Sequence, residues 1–290
     1  MTGRQSKFRA WAELGRVSNL PTVWSNCLVG AVLGAVGQVG ILPVACAIVG
    51  CSLLYVAGMI LNDWFDLEVD GRERPLRPLP SGRISPLAAL GAGIALVVIA
   101  NVVLAICGWL SLGMGLLMSA AIVIYNAIHQ RFAAAAVVMG LCRGLVYLVS
   151  AACQGSVWRL EWPALTAGLV AYVTILTVIA REEMRSGPRH PRLALMALMI
   201  GVLAPLILSI GGLRLLQWVA GALLILWIGW SGADLMRTPA RPIAAVLRLL
   251  AGICIVDALY LATVGGELLV PLSMGCLALT VRAHKRIPGT

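Results

Sequence analysis

Leu61-Asn62-Asp63-Trp64-Phe65-Asp66-Leu67-Glu68-Val69-Asp70-Gly71-Arg72-Glu73-Arg74-Pro75 closes a long apolar run and holds five of the twelve acids in a chain of 290 residues. Continued as a helix at about 100° per residue, the run brings Asn62, Asp63, Asp66 and Asp70 to roughly 0°, 100°, 40° and 80°, one shared face, while Glu68 near 240° looks away. Gly71 then offers a helix stop. Three carboxylates on one face repel one another and raise one another's pKa unless a cation stands between them. A hard divalent cation suits them: magnesium takes oxygen ligands, keeps some of its waters and is commonly held by one or two carboxylates together with substrate phosphates. The plain alternative is a solvated acidic loop, which sits poorly in a chain of which only 12% is charged.

Hydrophobic residues make up 60% of the chain, far above the soluble norm of roughly 45–50%. An integral, multi-pass membrane protein is expected, a helical bundle forming one domain over residues 1–290. The net charge of +10 does not point to nucleic acid, because the basic residues are dispersed among loops rather than gathered on one face or arm. Cys27, Cys46, Cys51, Cys107, Cys142, Cys153, Cys254 and Cys276 lie in apolar segments without a C-x-x-C pair, so packing is expected of them rather than zinc or a disulfide framework. Residues 1–17 are polar and basic, unlike a signal peptide.

A crossing helix needs about 20 apolar residues. Residues 17–61 make two spans broken near Gly37–Gly40, and 84–130 two more with a break near Gly108. Further spans are expected at 133–153, 163–180, 193–212, 215–235 and 243–264, giving nine, or ten if the short run 268–281 also crosses. Lys and Arg collect on one side of this arrangement: the N-terminus, the loop with Arg72, Arg74, Arg77 and Arg83, and the loop from Arg181 to Arg192. Positive charge marks the cytoplasmic side, so the N-terminus and the acidic stretch are expected there.

The helix ends at Asn62-Asp63 and at Glu182-Glu183 stand 120 residues apart at that same surface, a faint sign of two related halves. Facing each other, such ends can grip a diphosphate through magnesium, with arginines holding oxygens directly. Arg72, Arg74 and Arg77 are placed for this, and Pro75, Pro78 and Pro80 stiffen their loop. Polar residues inside spans are expensive and mark function. Arg143 in the fifth span is the clearest and is expected to meet an acid or a substrate oxygen; Asn26 and Asp257 are next. Asn126 and His129 lie near a span end and are compatible with headgroup contact alone.

Asn62-Asp63-x-x-Asp66-x-x-x-Asp70 followed by Glu73-Arg74-Pro75-x-Arg77-Pro78-x-Pro80-Ser81-Gly82 resembles the first signature of the UbiA superfamily of intramembrane prenyltransferases. Asn19-Leu20-Pro21-Thr22 with Asn26 is similar to that family's opening helix, and the chain length fits. The loop reads like the chlorophyll synthase branch, while Gly140-Leu141-Cys142-Arg143-Gly144-Leu145 and Ala180-Arg181-Glu182-Glu183 look like the EboC-like branch. The departure is at the second signature, D-x-x-x-D: Glu182 and Glu183 are present, but Ser186 and Gly187 stand four residues later.

The resemblance implies an all-α bundle of about nine transmembrane helices around a central cavity. It implies transfer of a prenyl group from an allylic prenyl diphosphate to a lipophilic acceptor among the membrane lipids. Asp63, Asp66 and Asp70 would be catalytic. Mg2+ on Asn62, Asp63, Asp66 and Asp70, with Glu182 or Glu183 as the second acid, would hold the departing diphosphate. Asn26, Asn62, Arg72, Arg74, Arg77, Arg143, Arg181 and Glu183 would bind the diphosphate. Glu182 and Glu183 are splayed by about 100°, so Arg181, Arg185 and Arg189 are expected to bind diphosphate without a second metal, with Glu183 facing the cavity. The rival reading is a non-catalytic carrier of a prenylated or polycyclic lipid. An ion-coupled transporter would want acids near mid-membrane, where only Asp257 stands.

Overall fold

The computed structural model describes residues 3–157, 162–185, 195–196, 198–199, 215–236 and 242–287, with the side chains of 3–6, 162, 182–185 and 242 outside that description. All regular structure among these residues is helical. The order is α1 (Gly3–Leu14), a 3-10 turn (Val17–Asn19), α2 (Leu20–Gly34), α3 (Ile41–Phe65), α4 (Leu67–Glu73), α5 (Pro86–Ala105), α6 (Trp109–Ile128), α7 (Ala135–Cys153), α8 (Trp162–Arg185), α9 (Leu215–Leu235), α10 (Pro242–Thr263), a 3-10 turn (Glu267–Leu269) and α11 (Val270–His284). The two expected glycine breaks fall where the apolar runs suggest. Gly37 and Gly108 have φ of 94° and 113°, a region open to glycine without strain. The start of α5 is fixed by Ser85, whose hydroxyl accepts from the Ala88 amide at 3.3 Å, with Pro86 in the first turn where its missing N–H costs nothing.

Seven helices among the described residues are long and apolar enough to cross a membrane: α3 and α5 to α10. This falls short of the nine or ten expected from the apolar runs. The first run yields only the 15 residues of α2 and the last the 15 of α11, each about 22 Å at 1.5 Å per residue against a hydrocarbon core of about 30 Å. The run 193–212 lies outside the described residues except at 195, 196, 198 and 199.

Helix α2 is an inner helix rather than a lipid-facing one, for 13 of its 15 residues are buried. Two apolar cores meet on it. One joins α2, α7, α8, α9, α10 and α11; the other joins α2, α3, α5, α6 and α7. The contact between α2 and α7 is close enough to require glycine: a Cβ on Gly34 would stand 2.2 Å from the Ala151 carbonyl oxygen, and one on Gly30 2.4 Å from that of Tyr147. Helix α10 is the other inner element, with Ile253 to Leu261 fully buried. Outward, α5 and α6 expose Val98, Val102, Trp109 and Leu117, the surface of a protein solvated by lipid tails. The chain is an integral, multi-pass membrane protein.

Candidate functional site

The acidic stretch does not run as one straight helix. The i to i−4 bonds persist, from the Asp66 amide to the Asn62 carbonyl at 3.0 Å and from the Asp70 amide to the Asp66 carbonyl at 2.8 Å. Asp66 itself has φ −88° and ψ 0°, in the sparsely used bridge region, and it divides α3 from α4. Beyond Glu73 the proline loop turns back, held by the Ser81 amide on the Arg77 carbonyl at 3.0 Å and the Ile84 amide on that of Pro78 at 3.1 Å. The return carries Arg77 to the acids.

The acids separate into two groups. In the first, Arg77 Nη1 donates to Asp70 Oδ2 at 2.6 Å and reaches Asp63 Oδ1 at 3.5 Å, while Arg16 Nη2 donates to the same Asp63 oxygen at 3.2 Å. Both carboxylates are buried, each residue 4% exposed, and the arginines supply the opposite charge that a buried acid needs. Arg16 is held with φ of 44°, a left-handed conformation that costs a non-glycine residue of order 1–3 kcal/mol. Beside this group lies a cavity of about 430 Å³ bordered by Arg16, Asp63, Glu73, Arg74, Arg77 and Arg83. Glu13 holds Arg83 at 2.9 Å and Arg9 at 3.0 Å. Burial, with Arg77 adding like-charge repulsion, pulls Arg74 below the ordinary arginine value; an incoming anion relieves that pressure.

In the second group, Asp66 meets His129 Nε2 at 2.9 Å and accepts from the Gln130 amide. Burial alone raises a carboxyl, but the hydrogen bonds from His129 and Gln130 outweigh it and hold Asp66 below its usual range. Asn62 donates to Asn126 Oδ1 at 3.2 Å and lies 3.3 Å from His129 Nε2. His129 Nδ1 stands 3.0 Å from the Asn126 carbonyl, so the ring is held from both of its nitrogens. Arg181, at the end of α8, donates to the His129 carbonyl at 3.1 Å and to those of Phe132 and Ala133. The ends of α3, α6 and α8 are thereby drawn together.

Among the described residues no three His, Cys, Asp or Glu side chains stand as a ready metal site. The expected single face of three carboxylates is divided because arginines claim Asp63 and Asp70 while His129 claims Asp66. The oxygen donors are those a hard cation needs, and each of the three carboxylates already has a positive or proton-donating partner.

Other expected site residues lie apart. Arg72 is exposed and paired one turn back with Glu68 at 2.5 Å, away from the cavity. Arg143 is buried and donates to Thr22 Oγ1 at 2.5 Å, with its guanidinium over the Tyr55 ring at 5.6 Å from the centroid. Asn26 donates to Asp257 at 2.8 and 2.9 Å, and Ser25 and Tyr147 donate to the same carboxylate at 2.5 Å each. These residues make a second polar centre deeper in the bundle, linking α2, α7 and α10. The side chains of Glu182 and Glu183, and all of Arg189, lie outside the described residues. Sequence reasoning counted Arg16 only as a topological charge and passed over Gln130, Ser25 and Tyr147. The signal for Arg16 was its place three residues before Asn19-Leu20-Pro21, at a helix start that faces the acidic loop.

A family model described as the UbiA prenyltransferase family matches residues 23–251. A digeranylgeranylglyceryl phosphate synthase of Natronomonas pharaonis is 30% identical over 124 residues, 43% of this chain and 44% of that protein. One of Methanoregula boonei is 28% identical over 187 residues, 61% and 64% of the two chains. The chain thus spans less than two thirds of the length of these curated relatives. They are neither chlorophyll synthases nor EboC-like proteins, so the resemblance holds for the family and these relatives do not extend it to either branch. Among solved structures, a UbiA homologue from Archaeoglobus fulgidus bound to GPP and Mg2+ superposes with a TM-score of 0.64 at 16% identity, over 93% of this chain and 99% of that one. A UbiA homologue from Aeropyrum pernix K1 gives 0.61 at 20%, over 88% and 97%.

Proposed function

The chain belongs to the UbiA prenyltransferase family, and from this we propose that it transfers a prenyl group from an allylic prenyl diphosphate to a lipid acceptor within the membrane, with Mg2+ as cofactor. The observation that carries the reading is the pair of buried carboxylates, Asp63 and Asp70, gathered around a guanidinium beside a cavity rimmed by Arg16, Arg74, Arg77 and Arg83. Such a mouth balances acids for a cation against arginines for phosphate oxygens.

Asn62, Asp63, Asp66 and Asp70 would hold Mg2+, and their oxygen donors fit it. When bound, the ion supplies positive charge against the diphosphate as it leaves. Arg16 and Arg77, now spent on Asp63 and Asp70, would turn their donors to phosphate oxygens, and Arg74 would add a third cation. His129 and Gln130 fix the orientation of Asp66, and Arg181 ties the end of α8 to the same place. The A. fulgidus homologue bound to GPP and Mg2+ supports both ligands. The synthase name shared by the relatives supports an acceptor that carries a glycerol phosphate head. In the membrane we place the N-terminus and the mouth at the cytoplasmic face, on the distribution of Lys and Arg. We count ten crossings if α2, α11 and the run 193–212 all span, and nine without α11.

The test is incubation of the purified protein in lipid with Mg2+ and prenyl diphosphates of several lengths. Each is offered with a singly prenylated glycerol phosphate or with a neutral lipophilic acceptor, and products are read by mass spectrometry. A doubly prenylated glycerol phosphate, absent when Mg2+ is chelated, is the expected product. Tight binding of the diphosphate with no product from any acceptor would favour the carrier.

A further inference from the structure

Two helical turns into the bundle from the acidic mouth lies a polar layer that the mouth does not use. Tyr55 precedes Asn62 by seven residues on α3, which puts it about 10 Å deeper and within about 20° of the same side of the helix. The Tyr55 hydroxyl oxygen accepts from Asn19 Nδ2 at 3.0 Å, and Asn19 Oδ1 stands 2.7 Å from His284 Nε2. The Asn19 carbonyl accepts from Thr22 Oγ1 at 2.7 Å, and Thr22 Oγ1 in turn accepts from Arg143 Nη2 at 2.5 Å. Helices α2, α3, α7 and α11 are thereby tied around one tyrosine hydroxyl and one guanidinium.

Both groups keep a donor in hand. Arg143 is 8% exposed; among the described residues no carboxylate forms an ion pair with it, and its Nη1 is buried without a hydrogen-bond partner. Its guanidinium lies over the Tyr55 ring at 5.6 Å from the centroid, a contact that offsets only part of the cost of burying the charge. Tyr55, whose oxygen accepts from Asn19, still has its own proton to give. Arg16 and Arg77, by contrast, each meet an acid, and Asp257 is engaged by Ser25, Asn26 and Tyr147. A neutral side chain would serve to tie α7 to Thr22. That link does not account for a buried charge whose one hydrogen-bonded partner is a hydroxyl, an expensive arrangement within a bundle.

We propose that Arg143 Nη1 and the Tyr55 hydroxyl form a subsite for the phosphate head of the acceptor lipid. The subsite rests on the reading that the chain prenylates a lipid with a glycerol phosphate head. Two unspent donors, one of them cationic, suit an oxyanion and offer nothing comparable to an amine or an uncharged head. The diphosphate of the prenyl donor is claimed at the mouth, by groups about 10 Å away along α3. A phosphate held on Arg143 leaves the glycerol hydroxyls between the two anion sites, facing the allylic carbon. Asn19 is a positioning residue: one end of its amide fixes the Tyr55 oxygen and the other is fixed by His284.

The purified full-length protein in lipid, with Mg2+ chelated and no prenyl diphosphate, is titrated with a singly prenylated glycerol phosphate and with the same lipid lacking its phosphate. The wild type should bind the phosphate form far more tightly. Arg143→Gln should weaken that binding about 10–100-fold, as for loss of a hydrogen bond to a charged group. Tyr55→Phe, which keeps the ring under the guanidinium, should weaken it by a smaller factor. Both variants should bind the uncharged lipid as the wild type does, and should bind an unreactive prenyl diphosphate analogue in Mg2+ with unchanged affinity, which also reports that they are folded. Should Arg143→Gln fail to fold, Tyr55→Phe decides alone. Wild-type affinity of either folded variant for the phosphate lipid, equal binding of the two lipids by the wild type, or a matching loss of diphosphate binding would overturn the subsite. Phosphate-selective binding by a wild type that makes no prenylated product would instead defeat the prenyltransferase reading and leave the subsite standing.

Discussion

Asp66 stands at the hinge of α3 and α4, and its carboxylate turns from Asp63 and Asp70 toward His129 and Gln130. The helical angles already hold this division: Asn62 and Asp66 are about 40° apart and Asp63 and Asp70 about 20° apart, and the structure keeps these pairs while parting them from each other. Taking all four as one face overlooked the claims of partners from distant segments, Arg16 and His129, which spacing within the stretch cannot reveal. If His129 orients Asp66 toward a metal, His129→Ala should weaken Mg2+ binding by about 10–100-fold, as expected for loss of an outer-shell partner; competition with a metal-sensitive dye measures this. Because Asp66 lies below its usual range, its carboxylate adds stability that is complete above the unfolded value of about 3.9 and is lost as pH falls through the lower folded value. Asp66→Asn should therefore flatten the acid limb of stability below about pH 4, as followed by thermal melts.

At the scale of the helices, glycine breaks and apolar runs made the boundaries legible, since Gly37 and Gly108 end charge-free stretches at conformations suited to them. The depth of α2 was not legible, because a short apolar helix reads alike whether lipid or other helices surround it. Its burial follows from Gly30 and Gly34, which bring it onto the backbone of α7. Gly34→Ala should cost about 1–3 kcal/mol through overpacking, seen as a lower melting temperature in detergent. The expectation for Arg143 placed a substrate oxygen or an acid beside it, and the structure gives it Thr22 and the Tyr55 face. Asp257 accepts from Ser25, Asn26 and Tyr147, so it joins α2, α7 and α10. Asp257→Ala takes the acceptor from Asn26 and Tyr147, two buried donors, at about 1–3 kcal/mol each, while Ser25 keeps the Thr22 carbonyl; it should reduce the folded yield by size exclusion far more than Asp257→Asn.

Across the whole molecule, the mouth is assembled from the start of α2, the hinge of α3 and α4, the end of α6 and the end of α8. That these meet at one end was legible from charge, because the N-terminal, acidic and Arg181 loops share the basic side. Arg16 on Asp63, Arg83 on Glu13 and Arg181 on the His129 carbonyl are the contacts that realise it. Which arginines serve the mouth was not legible: Arg72 and Arg77 lie five residues apart, and only the proline-directed return separates the exposed one from the partly buried one. The central claim is that Asp63 and Asp70 hold a magnesium–diphosphate complex at this mouth. It is tested most directly by titrating Mg2+ against binding of an unreactive prenyl diphosphate analogue to the wild type and to Asp70→Asn. The account predicts that analogue binding by the wild type strengthens steeply with Mg2+ and that Asp70→Asn loses most of this dependence. An Asp70→Asn protein that is folded and shows the wild-type dependence on Mg2+ would contradict it.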